Sequence, residues 1–390
     1  WIALVYIQFF GVIMLCIKST SDFEIESVKY PNFPLLTWEV DNTKLGIESG
    51  MLCVEAMQFL IYECLKRGRV DSENTWWTYA RHLNQFLTFC EYNGLDWRNI
   101  SESSEDEMLV SAYRDLCVGE FGMSVNSTNQ HLRTIVRFYS YGVGKWFDSL
   151  PYSLESVSVR KGQQFLAHTE RNGGKKYSSD LMMKTFEKKA EFLSAYEVQE
   201  LLSSIENPTL KLMVRLCLQT GIRRKELLLF PLHVIRKPSG NQTYYEVNIS
   251  RTKGEKERKI HIPSRLMEDL WRYVNEARFQ KQQESGVNSD CLFLTSDGQE
   301  WASQGSAFGK ALKSLNLPFH VAPHMLRHSY ATHMLKGLLE RKSSKFEPLM
   351  YLQSRLGHSS ITTTMKYLHL VNDLVDDLSI EYQQQIDAIV

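Results

Sequence analysis

Cysteine is scarce, and no spacing pairs it. The 390 residues include seven cysteines, an odd number. None lies in C-x-x-C spacing, and no ligand cluster for zinc is evident. A disulfide framework is therefore excluded, and reduced thiols in a cytoplasmic protein are expected. Net charge is absent as well, because 45 Lys and Arg balance 45 Asp and Glu. A nucleic-acid partner survives that balance, since it needs only a local basic surface. There is no Walker loop and no carboxylate set of the kind that holds two metals. The longest apolar run, residues 1–17, is broken only by Gln8. A membrane span usually needs about 20 such residues. The run has neither the basic start nor the cleavage site of a signal peptide. The sequence begins with Trp rather than Met. Residues 1–48 are thus read as an N-terminal extension, and a membrane-attached interaction protein as a reading that rests on this run alone.

What is present is an ordinary apolar content, 43%, enough for cores in two or three domains. The zero net charge hides a gradient. Residues 18–55 hold three Lys against seven acids, and residues 158–190 hold eight Lys or Arg against three acids.

Residues 18–48, with Pro31 and Pro34, read as an irregular lead-in. From Ser49 the pattern turns helical. A first helix carries Met51, Val54, Phe59, Ile61, Tyr62 and Leu65 and ends at Gly68. A second starts after Asn74, a good N-cap, and closes at Gly94. A third covers Glu105 to Phe121, and a fourth opens near Ser127. Four amphipathic helices over 49–150 indicate a helical bundle. Arg81, on the second helix, and His131, Arg133 and Arg137, on the fourth, are candidate phosphate contacts. Residues 151–190 read as a basic linker, with Lys175 and Lys176 placed to track a DNA backbone.

A second domain starts near residue 191. Ser194-Ala195-Tyr196-Glu197 is a capping box. Asn207-Pro208 breaks that helix, and the next ends at Thr220-Gly221. Tyr244–Ser250 and Lys259–Pro263 alternate as strands around a basic hairpin tip. Helices are expected over Leu266–Phe279 and over 305–315. Lys336–Met350 is expected as an extra connection, and Leu370–Ile389 as a tail helix.

Residues 323–367 carry the chemistry. His324 and Arg327 are three apart and share a helix face. His358 follows Leu356-Gly357, and Tyr367 comes nine residues later. Imidazoles, a guanidinium and a phenol suit work on a phosphodiester. His328 and His333 are read as packing residues and His369 as a surface residue.

The pattern H-x-x-R-H, then L-G-H, then Tyr resembles the tyrosine recombinase (phage integrase) family. Two further motifs of that family are present in the same order. Thr220-Gly221-Ile222-Arg223 with Glu226 fits T-G-x-R-x-x-E, and Lys253-Gly254-Glu255-Lys256-Glu257-Arg258 fits K-G-x-K-x-R. The resemblance implies a mainly α fold with a small antiparallel sheet. It would comprise an N-terminal core-binding, SAM-like helical bundle and a C-terminal α+β catalytic domain over 191–390. It implies Arg223, Lys253, His324, Arg327, His358 and Tyr367 as catalytic residues, with Lys256 a DNA contact and the runner-up to Lys253. It also implies strand exchange through a 3′-phosphotyrosyl link, without cofactor or metal, in service of a mobile genetic element. The partners implied are duplex DNA, further copies of the chain, most simply a tetramer, and accessory DNA-bending proteins.

Two arginines grip a phosphate with a planar fork that lysine cannot copy. A phenol, with a reference pKa near 10, needs such help at neutral pH. A type IB topoisomerase shares this chemistry without site choice. A DNA-binding protein without catalysis remains the alternative from another class.

Overall fold

The computed structural model describes residues 14–20, 23–39, 50–68, 72–98, 108–152, 154–158, 175–185, 190–240, 242–249, 257–302, 305–340 and 347–372. The chain divides into two compact units, residues 1–187 and 188–390.

The first unit begins with strand, where an irregular lead-in was expected. β1 (Met14–Lys18) pairs antiparallel with β4 (Pro34–Trp38), and β2 (Glu24–Ile25) with β3 (Val28–Lys29) in the connection between them. The prolines that argued against structure do not interrupt it. Pro34 closes the ladder opposite Lys18, at its end, where a missing N–H is tolerated. Leu36 and Trp38 are buried and join the core of the helices that follow.

Those helices are α1 (Val54–Ile61), which continues as a π-helical turn over Tyr62–Lys66, α2 (Glu73–Tyr92), α3 (Met108–Gly119) and α4 (Val125–Gly142). The N-cap position of α2 is Ser72, and Asn74 lies inside the helix. The hydroxyl of Ser124 caps α4 by accepting from the Ser127 N–H at 3.2 Å. Phe86, Tyr113, Phe138 and Tyr139 fill the centre of the unit. The expected linker contains a strand pair, β5 (Leu154–Ser158) with β6 (Lys175–Ser179), in which Lys176 stands opposite Val157 and Lys175 opposite Ser158.

The second unit opens on α5 (Ala195–Ser204), and its capping box is formed. Ser194 accepts from the Glu197 N–H at 3.2 Å, and Glu197 accepts from the Ser194 N–H at 2.8 Å. α6 (Pro208–Thr220) is capped by Asn207 and ends at Gly221, whose φ is +64°. α7 (Arg224–Leu228) follows at once. β7 (Tyr244–Ile249) pairs with β8 (Arg258–Pro263), with Ile260 and Ile262 on the buried face. Then come α8 (Ser264–Tyr273), a π-helical turn over Val274–Arg278, α9 (Phe279–Ser285), α10 (Ala307–Lys313), α11 (Pro323–Glu340) and α12 (Pro348–Leu356). Residues 361–372 are helical and are labelled α13. The expected extra connection over 336–350 is partly taken up by the ends of α11 and α12. The expected tail helix beyond 372 lies outside the described residues. Among the described residues no helix is long and apolar enough to cross a membrane. All seven cysteines are free.

Candidate active site

Four separated segments of the second unit meet where α6, α11 and α12 end or begin. The left-handed Gly221 stops α6 and brings its backbone against the Tyr330 ring. A Cβ at Gly221 would lie 2.3 Å from Tyr330 Cδ1, so only glycine fits. Two residues on, Arg223 enters α7. The carboxylate of Glu226 turns back to accept its backbone N–H at 2.8 Å and its Nη1 at 2.9 Å. Nη2 of Arg223 donates to the Gly357 carbonyl at 3.1 Å, and about a third of the side chain (31%) stays open to solvent.

Arg327 is the buried arginine, 2% exposed. It donates to the Gly221 carbonyl at 2.5 Å, to the Leu356 carbonyl at 2.6 Å and to His358 Nε2 at 3.2 Å. One guanidinium thus ties the end of α6 to the end of α12. Gly357, at φ +63°, ends α12 and turns the chain so that His358 faces Arg327. Arginine only donates, so His358 Nε2 accepts. The imidazole proton then sits on Nδ1 and goes to Thr364 Oγ1, 2.9 Å away on α13. One turn further along α13, the Tyr367 ring lies parallel to the His358 ring at 6.3 Å.

The electrostatics follow from this crowding of cations. Burial first, then Arg327 and Arg223, lowers His358 to about 3, so the ring is neutral at pH 7. Desolvation lowers His324 as well, followed by Arg327, although the residue is exposed. Arg327 is pressed down by burial and by the like charges of Arg223 and Arg258. It remains a cation, as a guanidinium does in proteins. Burial raises the Tyr367 phenol to about 12 despite the pull of Arg327 and Arg223. Three guanidiniums, those of Arg223, Arg258 and Arg327, share one carboxylate, Glu226, and this surplus of positive charge suits the site to an anion.

Two contacts here were not expected from the sequence. Arg258, read only as part of a basic hairpin, is 7% exposed and gives both terminal nitrogens to Glu226, each at 2.6 Å. Its aliphatic stem passes under Gly357, where a Cβ would meet Arg258 Cδ at 2.8 Å. His328, read as packing, is buried as expected, but its Nδ1 lies 2.9 Å from Tyr367 Oη. The only sequence signal for it was its place four residues after His324, on the same helix face. His333 does serve as a packing residue, bonded to the Leu193 carbonyl and set edge-on to Phe192. His369 is exposed.

The phage integrase family model matches residues 191–373. Over that stretch the second unit is thus similar to the phage integrase family. The chain is similar over 331 residues to the tyrosine recombinase XerD of Oceanobacillus iheyensis, at 26% identity, covering 82% of this chain and 96% of that protein. The tyrosine recombinase XerD of Listeria monocytogenes is also 26% identical, over 334 residues, with coverages of 82% and 95%. Its fold resembles that of XerH recombinase in a post-cleavage complex with its difH substrate, with a TM-score of 0.52 and 18% identity over 84% of this chain and 95% of that one. The Tn1549 transposon integrase with transposon right-end DNA gives 0.51 and 17%, over 80% and 94%.

The stretch matched by the integrase family contains every candidate catalytic residue. Arg223, Arg327, His358 and Tyr367 are gathered as described, and His324 stands at the outer end of the α11 row, its ring edge-on to His328 at 4.5 Å. Lys253 and Lys256 lie outside the described residues, on the connection between β7 and β8. In the first unit the candidates separate. Arg81 and Arg133 are exposed. Arg137 shares its charge with Glu63 at 3.3 Å and with the Tyr79 hydroxyl at 2.5 Å. His131 faces inward, which corrects its reading as a phosphate contact. It is 8% exposed, bonded to Tyr113 Oη at 3.0 Å and packed on His82 at 3.9 Å. The α4 periodicity places it on the same face as Leu132 and Ile135, so an imidazole was mistaken for a surface group. Lys175 and Lys176 stand in β6.

Proposed function

We propose that this protein is a site-specific tyrosine recombinase that cuts and rejoins duplex DNA through Tyr367. One observation carries the assignment: Arg223, Arg327 and the stretch from His358 to Tyr367, three segments far apart in sequence, converge on one cationic site. Such a site matches the pentavalent phosphorus of a phosphoryl transfer, whose equatorial oxygens gather negative charge. Arg223, with its outer face open, and Arg327 behind it hold the two non-bridging oxygens. His324 adds a hydrogen bond to those oxygens, and His358, neutral with Nε2 as its acceptor, takes the phenol proton once Arg327 turns to the phosphate. The bond from Tyr367 Oη to phosphorus forms as the bond from phosphorus to the 5′ oxygen breaks. Lys253, on the β7–β8 connection, gives the leaving oxygen its proton. The covalent bond retains the energy of the phosphodiester, so the strand is resealed by the reverse step without ATP.

Exposed Arg81 and Arg133, together with Arg137, Lys175, Lys176 and Lys256, hold the phosphate backbone, and binding weakens as salt rises. Exchange between two duplexes requires several tyrosines, which calls for a tetramer on DNA. Accessory DNA-bending proteins are compatible with that assembly, which acts in the cytoplasm on a mobile genetic element.

The test is a nicked suicide duplex carrying the protein's own target, recovered from DNA that co-purifies with the Tyr367→Phe protein. Wild type should become covalently attached to the 3′ end, while the Phe variant binds without attachment. Covalent capture by the Phe variant would move the nucleophile elsewhere. Relaxation of any supercoiled plasmid without site dependence would make the enzyme a topoisomerase instead.

A further inference from the structure

The nucleophile is not poised in this structure. Tyr367 is 1% exposed, and its hydroxyl is turned to His328 on α11. A phosphate cannot approach an oxygen that is covered and already engaged. The phenol is the stronger acid of the pair and an imidazole nitrogen the better acceptor, so Oη–H donates to Nδ1 and the His328 proton sits on Nε2. The ring is fixed from several sides. His324 stands edge-on to it at 4.5 Å, the Tyr367 ring lies 5.6 Å away, and the backbone is held within the second turn of α11. Lys366, Arg327 and His358 place further charge or potential charge around it and, after burial itself, keep it from protonating. Those charges make the ring a weak base toward the phenol. What remains for it to do is to hold.

We propose that His328 is a positioning residue for the nucleophile: its Nδ1 holds Tyr367 in a stored position that must be released before attack. The proposal rests on Tyr367 being the nucleophile. The hydrogen bond joins α11, which carries Arg327, to α13, which carries Tyr367. Release of the phenol therefore requires α13 or the tyrosine rotamer to shift relative to the arginine site. A single hydrogen bond of ordinary strength would slow that release by about 2- to 10-fold. This is enough to reduce cutting before DNA is fully engaged without preventing the reaction.

The geometry provides its own control. Asparagine can place a polar atom close to the position of Nδ1, whereas glutamine reaches toward Nε2 and leucine reaches neither. The experiment uses full-length protein in four forms: wild type, His328→Asn, His328→Gln and His328→Leu. Two quantities are read. The first is nitration of Tyr367 in the absence of DNA, located by peptide mass spectrometry. The second is the single-turnover rate of covalent capture on the nicked duplex at saturating protein. Asn should behave as wild type, with Tyr367 protected. Gln and Leu should expose the phenol and speed capture by about 2- to 10-fold. Equal protection and equal rates in all four forms would overturn the proposal. So would slower capture in Gln and Leu with unchanged DNA affinity, because the contact would then belong to the attacking state. The wild-type and Tyr367→Phe controls in the same assay separate failure of this proposal from failure of the nucleophile assignment.

Discussion

Glu226 is clasped by two arginines: both terminal nitrogens of Arg258 reach its carboxylate at 2.6 Å, and Arg223 reaches the same oxygens from the other side. The buried pair therefore connects the base of β8, where the Lys253 segment rejoins the sheet, to the arginine that faces solvent. Removing one partner of a buried pair leaves a charge uncompensated, which typically costs about 3–5 kcal/mol. Glu226→Ala should lower the stability of the second unit by that amount in urea unfolding. Glu226→Leu combined with Arg258→Leu should recover much of the stability but not the cleavage rate, since Arg223 then loses its support. Full recovery of both would make the clasp a packing device only.

The same carboxylate gives a pH prediction. Burial would raise its pKa, but the bonds from Arg258 and then Arg223 outweigh burial and hold it below the ordinary value of 4.5. A depressed acid stabilises the fold at pH above its unfolded value and loses that contribution as pH falls through the folded value. Stability of the second unit should thus fall below about pH 4.5, and Glu226→Gln should be less stable at pH 7 but lose less on acidification. Parallel pH curves for the two proteins would rule out Glu226 as the titrating group.

Gly221→Ala should be costly for two reasons at one position. The backbone there is left-handed, and the added methyl would fall inside contact distance of the Tyr330 ring. Strain and overpacking together should reduce stability by about 1–3 kcal/mol. The Gly221 carbonyl also accepts from Arg327, so strand cleavage should fall more than stability alone would predict. Thermal unfolding and single-turnover cleavage on the same preparation separate the two effects.

Much of this was legible in the sequence because local chemistry dictated it. The Ser194 capping box, the break at Asn207-Pro208, the Gly221 stop and the alternation of β8 are each determined within a few residues. The motifs placed Arg223, Arg327, His358 and Tyr367 in one site without a coordinate. What escaped depended on partners distant in sequence. Nothing local says that Arg258 turns inward to Glu226, 32 positions away, or that His328 meets Tyr367, 39 positions away. The strands near residues 14 and 38 were missed because prolines mark breaks only when the register is unknown. His131 was misplaced because a polar ring on an amphipathic helix reads as surface until Tyr113 supplies its hydrogen bond.

Arg327→Lys tests whether geometry or charge matters at the buried arginine. Lysine keeps the charge, but it cannot bond the Gly221 and Leu356 carbonyls and His358 at once, as the guanidinium does. Cleavage should fall by about 10²–10³, the usual cost of one preorganised donor. His358 should also lose its fixed tautomer, visible as a changed imidazole nitrogen shift by NMR. Retention of near wild-type cleavage would show that any cation suffices at this position.

The stacked pair His82 and His131 should make the first unit sensitive to acid. Burial lowers His82 to about 3, helped by His131 and Arg81, and burial alone lowers His131 to about 4. Both rings have neutral partners, Thr134 and Tyr113, so nothing nearby rewards a proton. Free histidines in an unfolded chain take one near pH 6.5. Between that value and the depressed values, the unfolded state binds protons that the folded state does not. Stability is therefore fully retained above about pH 6.5 and declines as pH falls toward 4, at up to about 1.4 kcal/mol per pH unit for each ring. Hydrogen exchange of the α2 and α4 amides in the full-length protein reads this locally, apart from the histidines of the second unit. Corrected for intrinsic exchange, protection should fall from pH 7 to pH 5 in wild type, and the fall should flatten when His82→Leu and His131→Phe are combined. An unchanged slope in that double variant would mean that the two rings titrate as they do in the unfolded chain, and that their burial carries no proton linkage.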